Sequence, residues 1–143
     1  MTAGRVTEVI FAKGHANVQA THPSTLEFTR EQHVSREGDC LVAVAADKAG
    51  VDLSWEFKDK LLRDDAKLLI LIEAGDCCDV VTAFGSSRLR LVHASDLVVR
   101  KSDFVCGRTL GVRADKSSAD LSRRLVDVLR RGEKVKITLT VEC

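Results

Sequence analysis

The chain has 143 residues, 45% of them apolar and 30% charged, a balance that suits one compact domain over 1–143 and leaves no room for two ordinary ones. Twenty-two Lys+Arg against 21 Asp+Glu give a formal charge of +1, which excludes a polybasic tail or an acidic disordered segment as the basis of function. No apolar run approaches the roughly 20 residues of a membrane span, the start of the chain lacks the plan of a signal peptide, and five cysteines without CxxC spacing read as free thiols, so a cytoplasmic protein that does not use a membrane is expected.

In chain order, apolar periodicity predicts strands over 6–12, 17–21, 25–29 and 40–45, a helix over 52–63 and a strand over 67–73. The order then recurs, with strands over 79–84, 88–92, 97–101 and 109–113, a helix over 118–131 and a strand over 134–142. Ser117 with Asp120 reads as a helix-start capping pair, and Gly132 as a stop.

Self-similarity underlies this recurrence. Residues 44–54 align with 112–122 at an offset of 68, and the register carries on so that Leu53, Phe57 and Leu61 fall on Leu121, Leu125 and Leu129, the stripe of a helix packed on one face. Residues 14–26 align more loosely with 85–97 at an offset of 71, through Gly, His, Ser and Leu. The fold expected is α+β: an internally duplicated, mostly antiparallel β domain with repeats at about 5–75 and 76–143 and two helices related by a pseudo-two-fold axis. A partly closed barrel and two packed sheets both fit.

Equivalent positions of two such halves meet around the axis, where a cleft is a natural ligand site. His22 and His93 each end a mostly apolar strand face. They suit a metal, a proton shuttle or an anion contact, while a turn histidine that caps backbone is the plainer role. Asp47-Lys48 and Asp115-Lys116 stand between a strand end and a helix start, where exposed N–H groups can seat an anion; a capping Asp beside a solvated Lys is the plainer role. Neither copy has the glycine spacing of a nucleotide loop. Arg100-Lys101-Ser102-Asp103, followed by Arg108-Thr109, is the densest polar cluster, able to grip phosphate or carboxylate or to guard a strand edge.

Residues 1–75 carry 9 basic and 12 acidic side chains, and residues 76–143 carry 13 and 9. Arg123, Arg124, Arg130 and Arg131 give the second helix a basic outer face, the basis of an alternative reading as a nucleic-acid or ribonucleoprotein accessory module. The absence of Tyr and of aromatic-basic interleaving ranks that reading second. No His/Cys spacing demands a metal, and Cys40 and Cys106 read as small thiols opening apolar strands. The residues name no cofactor and leave the oligomeric state open.

Gly14-His15-Ala16-Asn17-Val18, the run from Thr21-His22-Pro23 to Phe28-Thr29, Gly38-Asp39-Cys40, Arg100-Lys101-Ser102-Asp103-Phe104, Arg108-Thr109 and Ala114-Asp115-Lys116 together resemble the archaeal family labelled domain of unknown function 371, over nearly the whole chain. The resemblance implies an archaeal cytosolic protein and a small stand-alone domain, and carries over no catalytic residues. Pro23-Ser24 departs from the basic residue and second Thr of the family's turn. The same blocks group His15, Asn17, Thr25 and Glu27 with His22 and the Arg100–Arg108 cluster as the polar types a small anionic ligand would use. The leading expectation is a small-anion site between the repeats: Arg100, Lys101 and Arg108 bind the anionic group, His22 is the acid/base candidate, and Asp47 and Asp115 orient it. Lys48, Lys116 and His93 complete the candidate ligand set, and whether the site is enzymatic is left open.

Overall fold

The computed structural model describes residues 4–34 and 38–143. Its elements are β1 (Arg5–Lys13), β2 (Thr25–Thr29), β3 (Leu41–Ala43), α1 (Trp55–Leu61), β4 (Lys67–Ala74), β5 (Cys77–Phe84), β6 (Asp96–Arg100), β7 (Thr109–Gly111), α2 (Arg123–Arg130) and β8 (Lys134–Glu142), with 3₁₀ turns at Gly50–Asp52 and Ser118–Asp120.

Period-two burial builds the first sheet. Ile10 of β1, Leu68, Ile70 and Ile72 of β4, and Ile137, Leu139 and Val141 of β8 are fully buried, and polar residues alternate with them. The strand order is β1-β8-β4-β5, antiparallel throughout, with β4 and β5 joined in register from Ala74↔Cys77 through a tight turn at Gly75, whose φ of 58° suits a glycine. The second sheet has the order β3-β2-β6-β7. Its central pair is antiparallel (Thr25↔Arg100, Glu27↔Val98, Thr29↔Asp96), whereas β2–β3 and β6–β7 are parallel, so this sheet is mixed.

The two sheets enclose one core, to which the second contributes Leu26, Phe28, Leu97, Val99 and Leu110. They touch at two corners. Lys13 exchanges two 2.8 Å backbone hydrogen bonds with Val44, and Phe84 exchanges bonds of 2.8 and 2.9 Å with Val112. The architecture is therefore α+β, two packed four-stranded sheets stitched by a single bridge at each seam.

Ser54 and Ser122 start the helices, their hydroxyls accepting from the N–H of Phe57 (3.1 Å) and Leu125 (3.4 Å). The expected stripes are the buried ones: Leu53, Phe57 and Leu61 in one segment, Leu121, Leu125 and Leu129 in the other. Each helix ends against a glycine of the other half. A Cβ on Gly14 would lie 1.9 Å from the Leu129 carbonyl oxygen, and one on Gly85 would lie 2.1 Å from that of Leu61.

Several predicted elements need correction. Segments 17–21 and 88–92 are not strands: Val18, Ala20, Leu89 and Leu91 are buried as alternation requires, but Ala20 (φ 51°) and Leu91 (φ 53°) adopt the left-handed conformation, which breaks a ladder. The strands expected over 40–45 and 109–113 shorten to three residues each, ended by left-handed Ala45 and Arg113. The long helix expected over 118–131 is a 3₁₀ turn and a separate helix, because Leu121 is extended (ψ 149°) between them; Leu53 (ψ 147°) does the same before α1. Asp120 therefore accepts from the Ser117 N–H (2.9 Å) to close the 3₁₀ turn, not the α-helix.

Candidate functional site

Alternation along β2 and β6 sends Leu26, Phe28, Leu97 and Val99 into the core and leaves Thr25, Glu27, Thr29, Asp96, Val98 and Arg100 on the outer face of the second sheet. The turns into β3 and β7 bring Cys40, Cys106, Arg108 and Thr109 beside them. Here the geometry is dense. Asp96 accepts from the Thr29 hydroxyl (2.8 Å) and from Arg108 Nη1 (3.2 Å), and Arg108 Nη1 also lies 3.6 Å from Glu27 Oε2. The Cys40 thiol points to Glu27 Oε1 at 3.2 Å. On the other side, Arg100 donates to Thr109 Oγ1 (3.3 Å) and to the Cys106 sulfur (3.4 Å), with its guanidinium 5.0 Å from the centre of the Phe104 ring. The Cys106 N–H donates to Thr109 Oγ1 at 3.0 Å, which folds the turn tightly around the sulfur.

This layout separates two thiols and two carboxyls electrostatically. Burial pushes the Glu27 carboxyl up; Cys40 and Arg108 oppose that rise and the neighbouring Asp96 charge adds to it, leaving Glu27 above its usual range. Burial also works to raise Asp96, but the Thr29 hydroxyl and Arg108 outweigh it and hold Asp96 below its usual range. Of the two, Glu27 is the carboxyl that holds its proton more tightly. Burial and the Glu27 carboxylate push the Cys40 thiol up to about 12. For Cys106 burial is overcome by the Arg108 N–H, the Thr109 hydroxyl and Arg100, which bring the thiol down to about 7. A partly buried sulfur with thiolate character beside two guanidiniums can receive an anion and can act as a nucleophile.

The residues singled out from sequence divide between this cluster and the scaffold. Arg100, Arg108 and Glu27 meet in it, and Thr25 lies beside them on β2. Lys101 turns away to Asp120 (2.7 Å), whose carboxyl it holds down to about 2, and Ser102 accepts the Phe104 N–H at 3.3 Å. His22 Nδ1 accepts from the N–H groups of Ser24 and Thr25, and His93 Nδ1 from those of Ser95 and Asp96; both histidines cap turns. His15 Nδ1 accepts from the Asn17 N–H, and Asn17 ties down the Val34 carbonyl (both 3.0 Å). Asp47 and Asp115 accept from the N–H of Phe11 (3.0 Å) and Thr82 (2.9 Å) across the seam. Lys48 pairs with Glu8 at 2.8 Å and Lys116 pairs with Asp79; the second oxygens of those carboxylates hold the N–H of Ser54 and Ser122, the two helix caps.

Arg123 is also structural, since its guanidinium donates to the carbonyls of Ala20, Ser118, Ala119 and Leu121. Among the described residues no group of three or more His, Cys, Asp or Glu side chains is placed to hold a metal ion. Asp96 and Phe104 are not candidate site residues by sequence, Thr109 is one only as the neighbour of Arg108, and no motif marks Cys106 as a nucleophile. The available signal was a cysteine in a glycine turn with arginines at 100 and 108.

The scaffold residues match between the two halves of the chain: His22 with His93, Asp47 with Asp115, Lys48 with Lys116, Gly14 with Gly85. The cluster does not. Seventy-one residues beyond Thr25, Glu27 and Thr29 stand Asp96, Val98 and Arg100, and 68 beyond Cys40 stands Arg108. Matching backbone contacts thus carry non-matching chemistry on this one sheet face.

The family model described as a domain of unknown function (DUF371) matches residues 10–142. An uncharacterized protein of the archaeon Methanocaldococcus jannaschii, MJ0206, is 41% identical over 133 residues, which cover 93% of this chain and 98% of that protein. With a match of that extent, the chain belongs to the DUF371 family.

Proposed function

We propose that the outer face of the second sheet binds a small anionic ligand, with Arg100 as the receiving cation and Arg108, Thr109 and Cys106 around it. One observation carries this reading. Among the described residues Arg100 forms no ion pair with a carboxylate, and its guanidinium is spread against a hydroxyl, a sulfur and a ring, so its charge is held in place without a carboxylate partner. Arg108, by contrast, is held by Asp96 and Glu27, so its charge is already paired. The reading moves the ligand from a cleft between two repeats to one sheet face where the repeats, about 5–75 and 76–143, differ. A reducing, cytoplasmic setting goes with it, supported by five free cysteines, and no helix is long and apolar enough to cross a membrane. The nucleic-acid alternative is left with Arg124, Arg130 and Arg131, since Arg123 is occupied by carbonyls.

The test is a heteronuclear NMR titration with inorganic phosphate, pyrophosphate and citrate. Saturable shifts at Arg100, Cys106 and Arg108 that disappear in Arg100→Gln support the reading. No saturation up to millimolar anion, or shifts centred on α2, would overturn it.

A further inference from the structure

We infer that Cys106 is the nucleophile of this face and that the ligand is an anionic electrophile, a small carboxylate- or phosphate-bearing molecule with a reactive carbon. The inference rests on the anion reading above and adds a covalent step to it. Its basis is the contrast between two cysteines on the same face. The Cys40 sulfur has a carboxylate as its partner, an arrangement that keeps the proton on sulfur. The Cys106 sulfur has the Arg100 guanidinium at 3.4 Å and the Thr109 hydroxyl at 3.7 Å, partners that favour the thiolate. Arg108 stands between the two environments, ion-paired to Glu27 on the Cys40 side, so the sheet keeps one thiol protonated and frees the other. Cys106 is also only partly buried, within reach of a ligand anchored on Arg100.

The step balances without a redox partner. The thiolate sulfur supplies the electron pair for a new S–C bond, the bond from carbon to its leaving group breaks with its own pair, and the leaving group departs as an anion or takes a proton from solvent. Iodoacetate is the simplest probe of this class, because its carboxylate sits beside the carbon that loses iodide. Iodoacetamide is its uncharged counterpart.

The experiment alkylates the native full-length chain with each reagent between pH 5.5 and 9 and maps the modified cysteines by mass spectrometry, with exposed Cys78 as the internal reference. Cys106 is expected to react first, with a midpoint near pH 7. Its iodoacetate to iodoacetamide rate ratio should exceed that of Cys78 by roughly threefold or more, as a locally positive site steers an anionic reagent. Arg100→Gln should bring the ratio down to that of Cys78, and in the wild-type chain millimolar phosphate should slow alkylation of Cys106 and not of Cys78, a readout that needs no variant. Cys106 reacting no faster than Cys78 while the phosphate titration still saturates overturns the nucleophile and leaves anion binding standing. Fast reaction with iodoacetamide but no iodoacetate preference and no phosphate protection overturns the anionic electrophile together with the anion reading.

Discussion

Gly85→Ala is the substitution with the best-defined cost. Gly85 follows β5, donates its N–H to the Ala66 carbonyl (2.9 Å), and sits under the end of α1, where the next N–H, that of Ser86, caps the Leu61 carbonyl at 3.1 Å. A methyl group there would lie 2.1 Å from the Leu61 oxygen and 2.8 Å from that of Arg63. Both are backbone atoms at a helix end and cannot rotate aside, so relief requires about 1 Å of separation between β5 and α1. That movement loses two backbone hydrogen bonds, about 1 kcal/mol each, and adds overpacking strain of roughly 1–3 kcal/mol, about 3–5 kcal/mol in all. For a chain of this size 1 kcal/mol shifts Tm by roughly 3 °C, so melting followed by circular dichroism should fall by about 10 °C or more. Gly14→Ala should behave alike, because its Cβ meets the Leu129 oxygen at 1.9 Å, while Gly107→Ala, with nothing within 4 Å, should melt near the wild type. A Gly85→Ala protein melting within about 2 °C of wild type would refute the claim that each helix end is clamped by the opposite half.

Two further outcomes follow from the junctions. Burial works to raise Asp79, but Lys116 and the N–H groups of Ser122 and Val80 hold it below its usual 3.8, so the stability it contributes is present above that value and lost as pH falls through the lower folded value. Asp79→Asn should therefore cost about 1–2 kcal/mol in urea unfolding at pH 7, discounted because Lys116 is one-third exposed, and much less at pH 3; an equal cost at both would contradict the pairing. His22→Ala and His93→Ala each remove an acceptor shared by two turn N–H groups and should each cost roughly 1–2 kcal/mol while leaving the phosphate titration unchanged; a lost titration with unchanged stability would make the histidine a ligand contact.

The order of elements was legible because one-sided burial writes its period into the chain: β2, β8 and both helix stripes fall where alternation and the i, i+4 pattern put them. Segments 17–21 and 88–92 mislead because they bury alternate side chains as strands do, yet each opens in a turn and contains a left-handed residue, an Ala in one and a Leu in the other. No composition signal marks such a position. The site was harder to read for a related reason. Recurring His, Asp and Lys residues suit a ligand or a cap by residue type alone, and in the structure each holds a turn, a seam or a helix cap. The polar cluster on the second sheet lies instead where the halves disagree, at Glu27, Asp96, Arg100 and Arg108. Arg100 and Arg108 stood out as charge density, while Cys106 became significant only when the turn placed its sulfur against them.

The pairing of β1 with β8, which joins Arg5 to Glu142, has a kinetic consequence. The centre of the second sheet, β2 on β6, also bridges the two halves, so of the described strand pairs β4–β5 alone forms a tight hairpin. That hairpin is the natural starting point for folding, and the β1–β8, β4–β8 and β2–β6 pairings wait on closing long loops, whose entropy is lost before most of the contacts form. Refolding on the slow side for this length is the expected behaviour, in milliseconds to seconds. A chain emerging from the ribosome holds β4 with an unpaired edge until its last strand, β8, arrives to fill the space between β4 and β1.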